Sequence, residues 1–272
     1  MRIMTTKTIG CIAFIIVCLI GLGFLALNKF HASSKPPDHV RELRFTQSVT
    51  NPTAYPKKDE QMRLSLPLSH FHHQKILDVT IKQPLPWQHQ ETSQHHHGII
   101  QLPTIPPFGQ ISATAHVRLG LWSQSRFVTQ DHEPWLQASP WVPFTDSRIQ
   151  HLASTLKHAD SKKTIDKSFA WITTHIQQIA YKKKPMGALY ALTQKRGDCT
   201  EMSFLMTALL RANQIPSRIV EGYIVTQHQV IHVANKHNWV EVLRDKQWHI
   251  LDPTEKRRYP PLTDYVVMKI LE

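Results

Sequence analysis

Three side chains in the second half of the sequence have the types and the order that nucleophilic catalysis by a thiol requires. Cys199 precedes a long apolar run, His237 follows 38 residues later, and Asp252 lies a further 15 residues along the chain. In such a set the thiolate attacks a carbonyl carbon, the imidazole accepts and returns a proton, and the carboxylate orients the imidazole. The sequence therefore predicts a Cys-His-Asp catalytic triad.

The residues around Cys199 predict the start of a helix. Asp198 is a favourable N-cap, Glu201 completes the capping-box pattern, and apolar side chains recur at helical spacing until Asn213 and Pro216 end the helix. Cys199 is then the first helical residue, where free backbone amides and the positive end of the helix dipole favour a thiolate and can bind an oxyanion. The alternative is a small buried cysteine that only fills the core. The agreement of position and partners favours catalysis.

Four segments of the sequence resemble the core of the transglutaminase-like superfamily. They are Gly187-Ala188-Leu189, RGDCTEMSFLMTALLRANQIPSRIVEGYIV from Arg196, HNWVEV from His237 and WHILDPT from Trp248. The resemblance extends from about Asp146 to Pro253. It implies that Cys199 is the nucleophile, His237 the base and Asp252 the orienting acid. Members of this family include protein cross-linking acyltransferases, peptidases, amidases and some inactive relatives.

The resemblance also implies the fold class. We expect an α+β, transglutaminase-like (papain-like) core in which the cysteine helix packs on an antiparallel sheet that carries the histidine and the aspartate. A small β-sandwich and an N-terminal transmembrane helix are predicted to precede this core. The predicted domains are an anchor at residues 1–30, a β-sandwich at 31–127 and a catalytic domain at 128–272.

Other residues compete for two of the catalytic roles. His232 and His249 are rival bases, but the His-x-Trp-x-Glu motif favours His237, and His249 lies on the strand face opposite to Asp252. Gln194 precedes Cys199 by five residues, so it is a candidate for stabilising an oxyanion. A glutamine that faces solvent is the interpretation we favour.

The N-terminal segment predicts a membrane anchor. Residues 9–27 are 19 consecutive residues without a charge, which as a helix span roughly 28 Å, close to the ~30 Å core of a bilayer. A cleaved signal peptide, with Ala32-Ser33-Ser34 as its processing site, is the alternative. Because basic residues are nearly balanced on the two sides, the signal-like layout decides the orientation. We expect a single-pass membrane protein with a signal anchor and a periplasmic or other extracytoplasmic body.

Between the anchor and the catalytic domain, apolar and polar residues alternate with the period of a β-strand. About five strands are predicted, separated by Pro, Asn and Gly turns, and together they indicate a β-sandwich. Bacterial transglutaminase-like proteins often carry such a domain before the core, and this segment resembles it. Two helices are expected next, one capped by Asp146 and one from about Thr164 to Ala180.

The charge and residue composition of the chain indicate which classes of partner it can bind. The chain has 272 residues, a formal charge of +12 and a sequence pI of about 9.7, which favours anionic partners. Its basic residues are dispersed, with short clusters at Lys182-Lys183-Lys184 and Lys256-Arg257-Arg258 and no interleaved aromatic stripe, so nucleic-acid binding is not expected. Three cysteines, two of them in the apolar N-terminal run, cannot form a disulfide framework.

Histidine is abundant, and two clusters fall in the predicted sandwich, at His70, His72 and His73 and at His95-His96-His97. Contiguous loop histidines rarely converge on one ion, so exposed loops are expected rather than a metal site. No oxygen-rich calcium loop is apparent either. We predict that the protein needs no metal or other cofactor.

These features predict an enzyme that forms an acyl-enzyme on Cys199 from an amide in a protein or peptide substrate. Hydrolysis and cross-linking share every step up to the resolution of the acyl-enzyme, and hydrolysis is the outcome we favour. The alternative is a catalytically silent, membrane-anchored scaffold of the cell envelope. A papain-type protease is disfavoured because the Cys-to-His interval is short and an aspartate replaces asparagine. The oligomeric state is not predicted.

Overall fold

The computed structural model describes residues 35–127 and 132–272. The strands are β1 (His39–Thr50), β2 (Gln61–Leu66), β3 (His70–Phe71), β4 (Gln74–Ile81), β5 (Trp87–Glu91), β6 (His96–Gln101), β7 (Gln110–Leu121), β8 (Gln177–Gln178), β9 (Arg196–Gly197), β10 (Ser217–Ile224), β11 (Gln229–Ile231), β12 (His237–Arg244), β13 (Gln247–Asp252), β14 (Arg257–Arg258) and β15 (Tyr265–Ile270). The helices are α1 (Ser147–Leu156), α2 (Ser161–His175), α3 (Gly187–Gln194) and α4 (Cys199–Ala212). Short 3-10 turns lie at Glu133–Leu136, Val233–Asn235 and Leu262–Asp264.

Two sheets occupy the region predicted to be a sandwich. The first has the order β11-β1-β7-β4-β3, with β1 and β7 antiparallel over their whole lengths, and the second has the order β2-β6-β5. Alternate residues such as Leu43 and Phe45 of β1 are buried between the sheets, as the period of two predicted.

The core between these sheets also receives side chains from the second half of the chain. Tyr223, Ile231 and Val266 pack into it, and β11 extends the first sheet by pairing in parallel with β1. Pro37–Glu272 is accordingly one compact unit. The predicted domain boundary after residue 127 stays a prediction.

The third sheet carries the predicted catalytic histidine and aspartate. Its order is β14-β13-β12-β10-β15, and all neighbouring strands are antiparallel. Helix α4 packs against β12 and β10, and its residues from Thr200 to Arg211 are buried because helices α1, α2 and α3 contribute to the same core. The mixed α and β content and the cysteine helix on an antiparallel sheet agree with the expected fold.

Helix α2 is shorter than predicted. It ends at His175 rather than near Ala180, because Gln177–Gln178 leaves the helix to form β8, which pairs in parallel with β9. The N–H of Ile179 then donates to the Gly197 carbonyl at 3.0 Å. This pairing brings the segment after α2 alongside the loop that precedes Cys199.

Gly222 is required by the packing of the third sheet. A Cβ atom built there would lie 1.9 Å from the Val266 carbonyl oxygen and 2.7 Å from the ring of Trp239. Glycine is therefore needed at this position, because any side chain there would collide with β15. It lets β15 approach β10 at the point where their register shifts.

Within residues 35–127 and 132–272, no helix is both long enough and apolar enough to cross a membrane. The predicted anchor at residues 9–27 lies outside the described part of the chain.

Candidate active site

The start of helix α4 is built as the sequence predicted. The carboxylate of Asp198 accepts the N–H of Thr200 at 2.7 Å, and Glu201 accepts the N–H of Asp198 at 3.3 Å, which forms a capping box. Glu201 also accepts the N–H of Met186 at 2.9 Å. Cys199 is thus the first residue of the helix, with a free and half-buried thiol. The sulfur therefore lies at the N-terminus of the helix, which is the positive end of the helix dipole.

His237 and Asp252 lie on adjacent strands, and their side chains touch. His237 Nε2 lies 2.8 Å from Asp252 Oδ2. Burial opposes a charge on this ring, but hydrogen bonding to Asp252 and to Cys199, together with their charges, raises the pKa of His237 to about 10. Asp252 engages Nε2, so its carboxylate does not occupy the other ring nitrogen, Nδ1. Asp252 thus contacts the His237 ring directly, and Cys199 is near enough to contribute to the pKa of that ring.

Asp252 is held by more than the histidine. It is fully buried, and Tyr265 donates its hydroxyl to Oδ2 at 3.0 Å while the N–H of Glu255 donates to Oδ1 at 3.1 Å. Burial and the neighbouring Asp252 raise the pKa of Tyr265, so its hydroxyl remains a donor. The sequence did not predict this role of Tyr265, because no motif links it to Asp252.

A second contact that the sequence did not predict joins the helix to the histidine strand. Asn238 donates from Nδ2 to the hydroxyl of Thr200 at 2.9 Å, and both side chains are nearly fully buried. Because Asn238 follows His237 and Thr200 follows Cys199, this bond fixes the spacing between the thiol and the imidazole. The only feature of the sequence that pointed to Asn238 and Thr200 is that each follows a predicted catalytic residue.

Cys199 opens onto a cleft of about 750 Å³. Trp141 and Phe204 stack on one wall with ring centroids 6.0 Å apart, and Val233 lies on the rim. The cleft is also lined by Lys182, Lys183, Lys236, Glu221 and Glu272. Its size and apolar wall suit a peptide segment.

The rival residues lie elsewhere. His232 is exposed on the connection before β12, and His249 packs its ring on Tyr259 with centroids 5.8 Å apart. Gln194 is exposed at the end of α3 and does not line the cleft. Within the described part of the chain, His237 is the histidine that contacts Asp252.

The expectation that the His70-to-His73 cluster lies in an exposed loop is wrong for two of its members. His72 and His73 are buried, because the turn between β3 and β4 inserts them against β12 and β15. His72 Nε2 lies 3.1 Å from Glu241 Oε1, and His73 Nε2 donates to the Tyr265 carbonyl at 2.9 Å. His96 of the second cluster is also buried, with Nδ1 2.8 Å from the Pro67 carbonyl.

Glu241 is the centre of this buried cluster. Arg218 binds its Oε2 through two nitrogens at 2.6 and 2.8 Å. The ligand atoms of His72, His73 and Glu241 lie within 4.8 Å of one another, which makes this the candidate metal group among the described residues. Hydrogen bonds already engage all three side chains, and a cation would have to share Glu241 with a guanidinium. The geometry is thus explained by a protein-only network.

This network makes the protein sensitive to acid. Burial lowers the pKa of His72 to about 3 and also lowers that of His73, so both rings are neutral in the folded state but titrate near 6.5 when unfolded. The stability from keeping them neutral is complete above pH 6.5 and is lost as pH falls from 6.5 towards 3. We expect His72 alone to lower the unfolding free energy by about 2 kcal/mol between pH 7 and pH 5. Urea unfolding at the two pH values measures the change.

The matched variant is His72→Gln, which keeps an N–H donor for Glu241 and removes the titrating ring. Its unfolding free energy should depend less on pH than that of the wild type, by about the same 2 kcal/mol. His151→Gln, on the exposed side of α1, controls for the substitution itself. An unchanged pH dependence in His72→Gln would show that His72 is not neutral in the fold.

Comparisons with known proteins find a family match for residues 150–253 of the chain. Residues 150–253 match a sequence model of the transglutaminase-like superfamily, and no curated protein matches the chain. Among solved structures, a candidate cysteine protease from Cytophaga hutchinsonii is similar with a TM-score of 0.60 and 17% identity, covering 86% of this chain and 82% of that one.

Two further structures are less similar. The periplasmic domain of TgpA from Pseudomonas aeruginosa has a TM-score of 0.43 and 19% identity, covering 80% of this chain and 82% of that one. Red sea bream transglutaminase has a TM-score of 0.33 and 10% identity, covering 77% and 50%. At such identities, the likeness to the Cytophaga protein concerns the fold alone.

Proposed function

Residues 150–253 are a domain of the transglutaminase-like superfamily, and from this we propose that Cys199, His237 and Asp252 catalyse acyl transfer from amide bonds. One observation carries the proposal. His237 Nε2 lies 2.8 Å from Asp252 Oδ2, Cys199 is near enough to help raise the pKa of the same ring, and Cys199 lines a cleft. A buried cysteine that only filled space would need neither partner nor access.

The proposed reaction begins with attack of the Cys199 thiolate on the amide carbonyl carbon. The oxyanion that forms is held by the backbone N–H of Cys199 and stabilised by the positive end of the α4 dipole, since Asp198 already accepts the N–H groups of Thr200 and Met202. The C–N bond then breaks, and the His237 imidazolium gives its proton to the departing nitrogen, leaving a thioester on Cys199. Asp252 keeps the ring oriented and stabilises its positive charge.

In the reaction we favour, water hydrolyses the thioester. His237, now neutral, removes a proton from the water, which attacks the thioester carbonyl and releases the carboxylic acid and the thiolate. A protein or peptide is the proposed substrate, because a cleft of about 750 Å³ with an aromatic wall suits a short peptide segment. Resolution by an amine would instead cross-link two chains through the same thioester.

Alkylation of Cys199 tests the proposal. Iodoacetamide at pH 6 should modify Cys199 at least tenfold faster than it modifies glutathione, because the charged His237 ring would stabilise the thiolate form that attacks the reagent. The modified peptide is quantified by mass spectrometry, since Cys11 and Cys18 are also in the chain. The alkylated Cys199 peptide should be absent in the Cys199→Ser variant, which identifies its mass-spectrometric signal. A rate no greater than that of glutathione would favour the silent scaffold.

We also propose that residues 9–27 anchor the protein in a membrane, with its body on the extracytoplasmic side. The uncharged run of 19 residues supports the anchor. The protein should remain in the membrane pellet after extraction with alkaline carbonate, and added protease should digest its body from outside the cytoplasmic membrane. Release by carbonate would exclude an anchor, and full protection of the body would reverse the orientation.

A further inference from the structure

We propose that Lys182, Lys183, Lys184 and Arg196 form an anion-binding subsite beside the thiol, which selects polypeptide substrates that carry carboxylates next to the reacting amide. This inference rests on the proposed function and names the substrate class of the same site.

The lysine segment is fixed next to Cys199 by its backbone. The N–H of Lys182 donates to Asp198 Oδ2 at 2.7 Å, and Asp198 is the residue that caps the cysteine helix. Lys182 and Lys183 line the cleft that contains Cys199. A substrate whose amide reaches the sulfur therefore lies alongside these two side chains.

A second cavity of about 650 Å³ adjoins the first at the same lysines. Lys182, Lys183 and Pro185 line both cavities, and Lys184 and Arg196 are added in the second. Arg196 donates from Nε to the hydroxyl of Tyr190 at 3.0 Å, which limits the positions of its guanidinium. The two cavities form one binding surface that continues from the thiol past the lysines.

Charge on this surface is not balanced locally. Among the described residues that line the second cavity there are four cations and no carboxylate. In the first cavity Glu221 pairs with Lys236 at 3.2 Å, and Glu272 interacts with Arg211. The three lysines are exposed and form no ion pair within residues 35–127 and 132–272. They are available to an anion from outside.

A polypeptide fits both the apolar walls of the first cavity and the cations beside them. Aromatic and apolar walls at Trp141 and Phe204 take uncharged side chains, while neighbouring carboxylates of the same chain meet the cations. Each exposed contact is weak, but several cations within one Debye length, about 8 Å at physiological salt, act together. We expect a preference for the acidic substrate of about tenfold, expressed in KM more than in kcat.

Two small alkylating reagents test the subsite without any substrate. Iodoacetate carries a negative charge and iodoacetamide does not, so the ratio of their rates at Cys199 reports anion binding beside the sulfur. In the double variant Lys182→Glu/Lys183→Glu this ratio should fall about tenfold at 0.15 M salt. The matched control is Lys75→Glu/Lys82→Glu, which makes the same charge change at exposed residues that line neither cavity, and its ratio should change less than twofold.

Peptide pairs that differ only by Glu or Gln beside the acyl-donor amide supply the second measurement. The wild type should prefer the Glu peptide through KM, and Lys182→Glu/Lys183→Glu should lose or reverse that preference. If both reagents alkylate Cys199 no faster than glutathione, the proposed function fails. If alkylation is fast but the ratio is the same in both double variants, the proposed function stands and the anionic subsite is overturned.

Discussion

Replacement of His237 by alanine is expected to lower the rate at which iodoacetamide alkylates Cys199 at pH 6 by on the order of 10²-fold. The contacts with Asp252 and Cys199 outweigh burial and raise the pKa of His237 to about 10, so at pH 6 the ring is charged and stabilises the thiolate. Without the ring, the reactivity should follow pH as that of glutathione does. Turnover of an amide substrate should fall further, by roughly 10⁴-fold or more, because the proton donor to the leaving group is also lost.

The other two candidate histidines provide the controls. His232→Ala and His249→Ala should alkylate within twofold of the wild type, since neither side chain contacts the thiol or Asp252. Rates are measured over pH 5 to 9 by mass spectrometry of the Cys199 peptide, and urea unfolding verifies that each variant is folded. Equal reactivity of His237→Ala and the wild type at pH 6 would remove His237 from the mechanism.

The part of the site that could be predicted from the sequence depends on local structure. The N-cap of α4 is decided by residues within three positions of Cys199, so Asp198 and Glu201 sufficed to predict it. Short motifs also placed His237 and Asp252 on neighbouring strands, where antiparallel pairing brings the two side chains to 2.8 Å. These predictions needed no knowledge of distant contacts.

The contacts that support the site join residues that are distant in sequence. They form only because the order of the strands in the sheets brings these residues together. Tyr265 reaches Asp252 because β15 lies on the far side of β10 and sends its first side chain beneath β12. His72 meets Glu241 across 169 residues. A histidine pair in a turn has the same sequence pattern whether solvent or another strand covers it, so burial of His72 and His73 could not be predicted.

Loss of the Arg218 charge is expected to have the largest effect on stability. Arg218 is buried, binds Glu241 through two nitrogens at 2.6 and 2.8 Å, and lies over the rings of Trp248 and Phe71 at 3.9 and 4.4 Å. Burial opposes ionisation of Glu241, but His72 and Arg218 outweigh it and lower the pKa of Glu241 to about 2. Arg218→Met therefore leaves an uncompensated buried carboxylate, and the unfolding free energy in urea at pH 7 should fall by about 3–5 kcal/mol.

A double variant separates the lost charge from lost packing. Arg218→Met/Glu241→Gln contains no unpaired charge, so it should recover more than half of the stability that Arg218→Met loses. Arg148→Met removes a similar bond to Asp146, but at an exposed site, and should lower stability far less than Arg218→Met does. Because Glu241 lies on the same strand as His237, Arg218→Met should also slow alkylation of Cys199, and the double variant should restore part of that rate. A double variant no more stable than Arg218→Met would mean that Arg218 acts through its contacts with the aromatic rings rather than through its charge.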